Sequence, residues 1–161
     1  MKKNKEKFFF FSINDPATFK KKLKAAAGFI TSTIQLLDPS KQPPAMVNVA
    51  FSQSGLNTLN VTDNLGDALF SAGQFAGAAD LGDPGTDKWI PAFKGTRVHG
   101  VFLLASNSML LIDAQWVTTK LLFGSSISEL YTLSAQARPG SELGHEREYE
   151  IFATIIIKQY F

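Results

Sequence analysis

No cysteine occurs in the 161 residues, so a disulfide, a thiolate nucleophile and a cysteine-ligated metal are all excluded. Only two histidines are present, His99 and His145. An excess of charge of one sign is nearly absent: 16 basic residues face 14 acidic ones, a net of +2, with charged residues at 19%. That excess is too small for a nucleic-acid-binding face and sits mostly in two lysine clusters near the start. No apolar run is long enough to span a bilayer. The opening MKKNKEKFFFF has the basic stretch of a signal peptide, but Phe8 to Phe11 is too short for its apolar region and no small-residue cleavage site follows. The expectation is a soluble chain carrying no address. What remains is a globular composition, 45% hydrophobic, with room for one core.

The order of elements is legible. Lys7 to Ile13 reads as a buried aromatic strand. Asn14-Asp15-Pro16 is a helix start, followed by a helix over Ala17 to Ala27 with Phe19, Leu23 and Ala26 as its apolar stripe. A second helical turn or two around Ile30 to Leu37 stops at Asp38-Pro39. Ala45 to Phe51 is a second strand, and Ser52 caps a short helix over Leu56 and Leu59. Residues 61–95, rich in Gly and Asp, form an insertion with one helix near Asp67 to Phe75. Arg97 to Ala105 is a third strand. A helix from Met109 to Phe123 follows, with Leu111, Ala114, Val117 and Leu121 among its apolar positions, ended by Gly124. Ile127 to Ala137 is a fourth strand, with Ile127, Glu129, Tyr131 and Leu133 in alternation.

Two βαβ units in this order predict the α+β class: a ferredoxin-like βαββαβ antiparallel sheet with both helices on one face. Strand one is apolar on both faces, Phe8 with Phe10 on one and Phe9 with Phe11 on the other. Helices cover one face, so the other calls for a second sheet or a partner. A bare face of this kind would expose on the order of 600–800 Å² and drive self-association.

Candidate chemistry is sparse. His99 reads as mid-strand and as a satisfied core or sheet-face histidine. His145 beside Glu146 lacks the further His or Cys that a metal site needs. Asp80, Asp83 and Asp87 with Gly82 and Gly85 fail the spacing of a calcium loop and read as solvated loop acids. Glu146, Glu148 and Glu150 would share one strand face without a cleft to set their pKa values apart. No serine lies in a G-x-S-x-G elbow. Asn60-Val61-Thr62 is a glycosylation sequon, meaningful in a secreted protein. RNA-binding domains share the fold, but RVHGVFLLA lacks their third-strand pattern of aromatics and flanking basic residues, so no nucleic-acid partner is expected.

Six segments taken together carry a resemblance. MKKNKEKFFFFSINDPATFKKKL, VNVAFSQSGLNTL, VTDNLGDALFSAGQFAGAADLGD, W-x-P-A-F-K-G-T, HGVFLLAS and FGSSISELYTLSAQARPGSELGHE resemble, in that order, the N-terminal half of fungal dye-decolorising peroxidases. The match runs over residues 1–146; residues 147–161 diverge from it, and a short leading segment is missing. The resemblance implies two ferredoxin-like halves packed sheet to sheet, a dimeric α+β barrel type of architecture. It implies haem b as cofactor, hydrogen peroxide as oxidant and dyes and phenolic aromatics as substrates, in enzymes often secreted. In the family GHE leads into a GxxDG motif whose Asp works with an Arg of the second half, which also supplies the proximal His. Here GHE is followed by REYEIFATIII, and the nearest string, Gly77-Ala78-Ala79-Asp80-Leu81, lacks the closing Gly.

No catalytic, haem-binding or metal residue therefore maps onto this chain. The expectation is an N-terminal half truncated at both ends, binding no haem by itself. Its partner would be the missing C-terminal half or a second copy through the sheet face. The tail reads either as translated noncoding sequence or as a genuine closing strand. The competing function is a non-catalytic ferredoxin-like binding or dimerisation module.

Overall fold

The computed structural model describes residues 3–63 and 65–137. Four strands make one antiparallel sheet in the order β2-β3-β1-β4. β1 is Lys5–Ile13, β2 Met46–Phe51, β3 Gly100–Ser106 and β4 Ile127–Gln136. The helices are α1 Pro16–Ala26, α2 Thr33–Leu37, α3 Gln53–Thr58, α4 Ala68–Ala72 and α5 Met109–Phe123. This is the expected ferredoxin-like topology, with β1 and β3 central.

The helix starts are chemically explicit. Asp15 accepts from the Thr18 N–H at the head of α1, with Pro16 in the first turn. Ser32 and Gln35 form a reciprocal capping box on α2, Ser52 accepts from the Gly55 N–H, and Asp67 from that of Phe70. Gly124, at φ 56°, ends α5 in a conformation that favours glycine.

Between the sheet and the helices lies an aromatic core. Phe9, Phe11, Phe19, Phe102, Trp116 and Phe123 meet there with Val47, Leu104 and Ile112. Phe9 stacks on Trp116 with ring centroids 4.0 Å apart, and Phe11 on Phe102 at 5.0 Å. Phe9 and Phe11 are thus the pair that faces the helices, leaving Phe8 and Phe10 for the other surface.

Two sequence expectations are corrected. On α5 the buried face is Ile112, Trp116, Thr119 and Phe123, while Leu111, Ala114, Val117 and Leu121 face solvent. Both stripes share the same helical spacing, and the sheet selects the one bearing the large aromatics. On β4 the alternation is interrupted. Phe10 pairs with Tyr131 but Phe11 with Glu129, so Leu130 is an extra residue in a β-bulge. Ile127 consequently packs against the helix-side core, whereas Tyr131 and Leu133 belong to the opposite face.

The outer edge of β2 is partly occupied. Thr31 donates its backbone N–H to the Val47 carbonyl at 2.8 Å and accepts the Val47 N–H on Oγ1 at 2.9 Å. The Val49 N–H is bonded to Asn48 Oδ1 at 2.7 Å.

Candidate functional site

The face of the sheet away from the helices is where the fold would receive a partner, and it is not bare. Phe10, Leu133 and Ala135 are 3%, 7% and 4% exposed, packed with Phe8, Val101, Tyr131, Phe93 and Val98. Phe93, in a short 3₁₀ turn over Pro91–Phe93, meets the Phe10 ring edge-on at 4.9 Å and the Tyr131 ring at 5.3 Å. Trp89 helps hold the approach, its Nε1–H donating to Asp83 Oδ2 at 2.9 Å. The expected open patch is thus corrected: the insertion lays an aromatic lid over part of it. Among the described residues, large side chains with high exposure lie on α2, α4, α5 and the insertion instead.

At the far end of the sheet the insertion and α3 enclose a cleft of about 670 Å³, with Phe70, Phe75 and Phe93 on its apolar wall and Ser54, Asn57 and His99 on its polar one. His99 does not lie in mid-strand. It immediately precedes β3, its backbone N–H bonded to the Phe11 carbonyl at 2.9 Å. Its Nδ1 accepts the Ile13 N–H at 2.9 Å. A ring nitrogen accepting such a bond carries no proton, so the neutral imidazole bears its hydrogen on Nε2. Burial holds the His99 pKa below the usual value, which favours that neutral form. As expected from the sequence, this histidine is a satisfied structural one. To ligate a metal through Nε2 it would have to move its proton to Nδ1, against the Ile13 N–H. Gly55 packs directly beneath it: a Cβ there would lie 1.9 Å from the His99 carbonyl oxygen.

The acids do not converge either. Asp83 accepts from the Gly85 N–H as well as from Trp89, the Asp87 carbonyl accepts from Lys94, and no group of three metal-ligating side chains exists among the described residues. Asp80, within Gly77-Ala78-Ala79-Asp80-Leu81, is an exposed residue of the insertion. Asn60 is exposed at φ 53°, in the turn that ends α3. His145, Glu146, Glu148, Glu150 and the whole segment 147–161 lie outside the described residues. No helix among the described residues is long and apolar enough to cross a membrane.

One polar cluster escaped the sequence reading. Glu129 accepts from Trp116 Nε1 and Lys120 Nζ, both at 3.1 Å, and from Thr132 Oγ1 at 2.7 Å. Burial alone would raise its pKa, but the bonds from Thr132, Lys120 and Trp116 outweigh it and hold the carboxyl below its usual value. It ties α5 to β4 rather than facing a cleft. The signal that could have revealed it is the bulge, invisible in a regular alternation.

The sheet with its packed outer face and helix-covered inner face defines a known class. Residues 1–139 match the DyP dimeric alpha+beta barrel domain, and the chain belongs to that family. Among its relatives, Peroxidase 2 of Mycetinis scorodonius is 53% identical over 91% of this chain. Dye-decolorizing peroxidase AauDyP1 of Auricularia auricula-judae is 50% identical over 91%. The chain spans 29% of the length of each. The solved AauDyP complex with imidazole superposes with a TM-score of 0.83 at 50% identity, covering 89% of this chain and 32% of that one. A further structure, at TM-score 0.83 and 50% identity, is described by asymmetric sulfoxidation through engineering the heme pocket of a dye-decolorizing peroxidase. The resemblance to fungal dye-decolorising peroxidases is thereby shown.

Proposed function

We propose that this chain forms one ferredoxin-like half of a haem peroxidase that oxidises dyes and phenolic aromatics with hydrogen peroxide, and that it does not perform the reaction alone. The observation carrying this reading is identity near 50% across nine-tenths of the chain to dye-decolorizing peroxidases of which it spans less than a third. Such an enzyme needs an axial ligand for its iron and polar groups beside it. The described residues do not fit haem: their one histidine, His99, has its Nδ1 committed to the Ile13 N–H. In this reading the haem-holding residues lie beyond those described here, and this domain contributes a rigid sheet against which a second sheet packs. Val101 and Leu103, half-buried beside Phe8, supply an apolar surface for that second layer, whether it comes from another half or another copy.

Haem titration of the purified chain tests the proposal. The expected result is no stoichiometric Soret band and no turnover of a phenolic substrate above free haem. A sharp band saturating at one haem per chain and abolished by His99→Ala would overturn it.

A further inference from the structure

The solvent face of α5 carries a stripe that its own fold does not use. Leu110, Val117 and Leu121 are 76%, 57% and 78% exposed, and Ala114 between them is exposed too. Their spacing puts all four on one line along three turns. The stripe is also symmetric end to end: Leu110 and Leu121 are equidistant from the midpoint between Gln115 and Trp116, as are Ala114 and Val117. A two-fold axis demands that if one residue meets another, the second meets the first. Laid antiparallel on a second α5, Leu110 meets Leu121 of the copy and Ala114 meets Val117.

The flanks follow the symmetry less closely. Asp113 and Lys120 lie on one side of the stripe, on opposite sides of the midpoint, and across the pair they sit about 3 Å out of register along the helix axis, within reach of a long lysine side chain. In an antiparallel pair, like flanks face each other, so each Asp113 approaches the copy's Lys120. Within the chain Asp113 pairs with Lys7 and Lys120 with Glu129, yet both remain about half exposed, at 51% and 53%. On the opposite flank Leu111, 42% exposed, meets Thr118. The three large side chains and Ala114 offer on the order of 400 Å² per chain. Two copies would bury roughly 800 Å² before the flanks are added, under the roughly 1,000 Å² of a stable interface and in the range of a weak, transient one.

We propose that the occupant of this face is a second copy of the chain, forming a two-fold antiparallel α5–α5 pair of modest, concentration-dependent affinity. This pair is distinct from sheet-to-sheet packing and does not rest on the haem reading.

Sedimentation of the full chain over a range of concentrations provides the first test. A reversible dimer is expected, weakened at least about 10-fold by Leu121→Asp, a substitution at an exposed position that leaves the circular dichroism unchanged. Charge exchange gives the second. Asp113→Lys places two cations on the flank and Lys120→Asp two anions, so each variant repels its own copy, while an equimolar mixture regains association. Because the chain has no cysteine, Ala114→Cys mixed with Val117→Cys should form a mixed disulfide dimer under mild oxidation in preference to either variant alone. A chain that stays monomeric at high concentration overturns the proposal. So does a dimer indifferent to these α5 substitutions but dissolved by Phe8→Glu, which would place association on the sheet.

Discussion

His99 ties β1 and the head of α3 to its own segment through three ordinary bonds. Its N–H goes to β1, its ring accepts from Ile13, and its carbonyl accepts the Ser52 N–H at 3.1 Å. Protonating the ring sets an N–H against the Ile13 N–H and leaves both without an acceptor. The folded state therefore favours the neutral ring, and its pKa lies below the unfolded value of 6.5. The sign follows: His99 contributes full stability above pH 6.5, and that share is lost as the pH falls through the lowered folded value. Chemical denaturation between pH 7.5 and 5 should show a midpoint decline that His99→Gln, unable to titrate, diminishes. An equal decline in that variant would remove His99 from the account. The residue type and the apolar neighbours were enough to read a structural histidine from sequence. The Nδ1 contact was not legible, because Ile13 is 86 residues away along the chain.

At the scale of elements, helix and strand identities were legible and their faces less so. The cap at Asp15, the stop at Gly124 and the bounds of α5 follow from local chemistry. α5 defeats the periodicity argument because it is apolar on two sides with equal spacing, and only the sheet beneath decides between them. β4 defeats it differently, since one extra residue at Leu130 re-aims everything before it. The bulge brings Glu129 and Thr132 onto the helix-facing side and lets the carboxylate receive Trp116. Glu129→Ala should therefore destabilise the domain by about 1 kcal/mol, the value of a partly exposed charge-assisted bond. Glu129→Gln, whose side-chain oxygen still accepts from Trp116, should lose less. Urea unfolding of the two variants decides; an equal loss in both would mean the carboxylate charge, not the Trp116 bond, carries the effect.

For the whole molecule the expected topology holds, and the surface beyond it was read too simply. Six ordered segments made the family legible, but no periodicity marked Phe93 as a lid, set as it is in a Pro- and Gly-bounded loop. Shortening it by Phe93→Ala should uncover Phe10 and Tyr131 without touching the helix-side core. The loss should be about 2 kcal/mol, less than for a fully buried ring, with a rise in binding of a hydrophobic fluorescent dye. Unchanged dye binding would show that Phe93 protects nothing. Of the candidate site only the structural character of His99 was legible: the cleft around it is assembled from α3 and an insertion whose path no local pattern dictates.

The partly occupied margin of β2 has a consequence for how copies could accumulate. A sheet with two available margins can recruit a neighbour on each side, and every recruit offers a fresh margin, so growth has no natural end. Here Thr31 and Asn48 have consumed the Val47 groups and the Val49 N–H on one margin. Edge-to-edge joining would fall to the other margin, β4. Two copies meeting through β4 would then present only β2 margins outward, and edge-to-edge joining by itself would terminate at a pair instead of running on into a fibre.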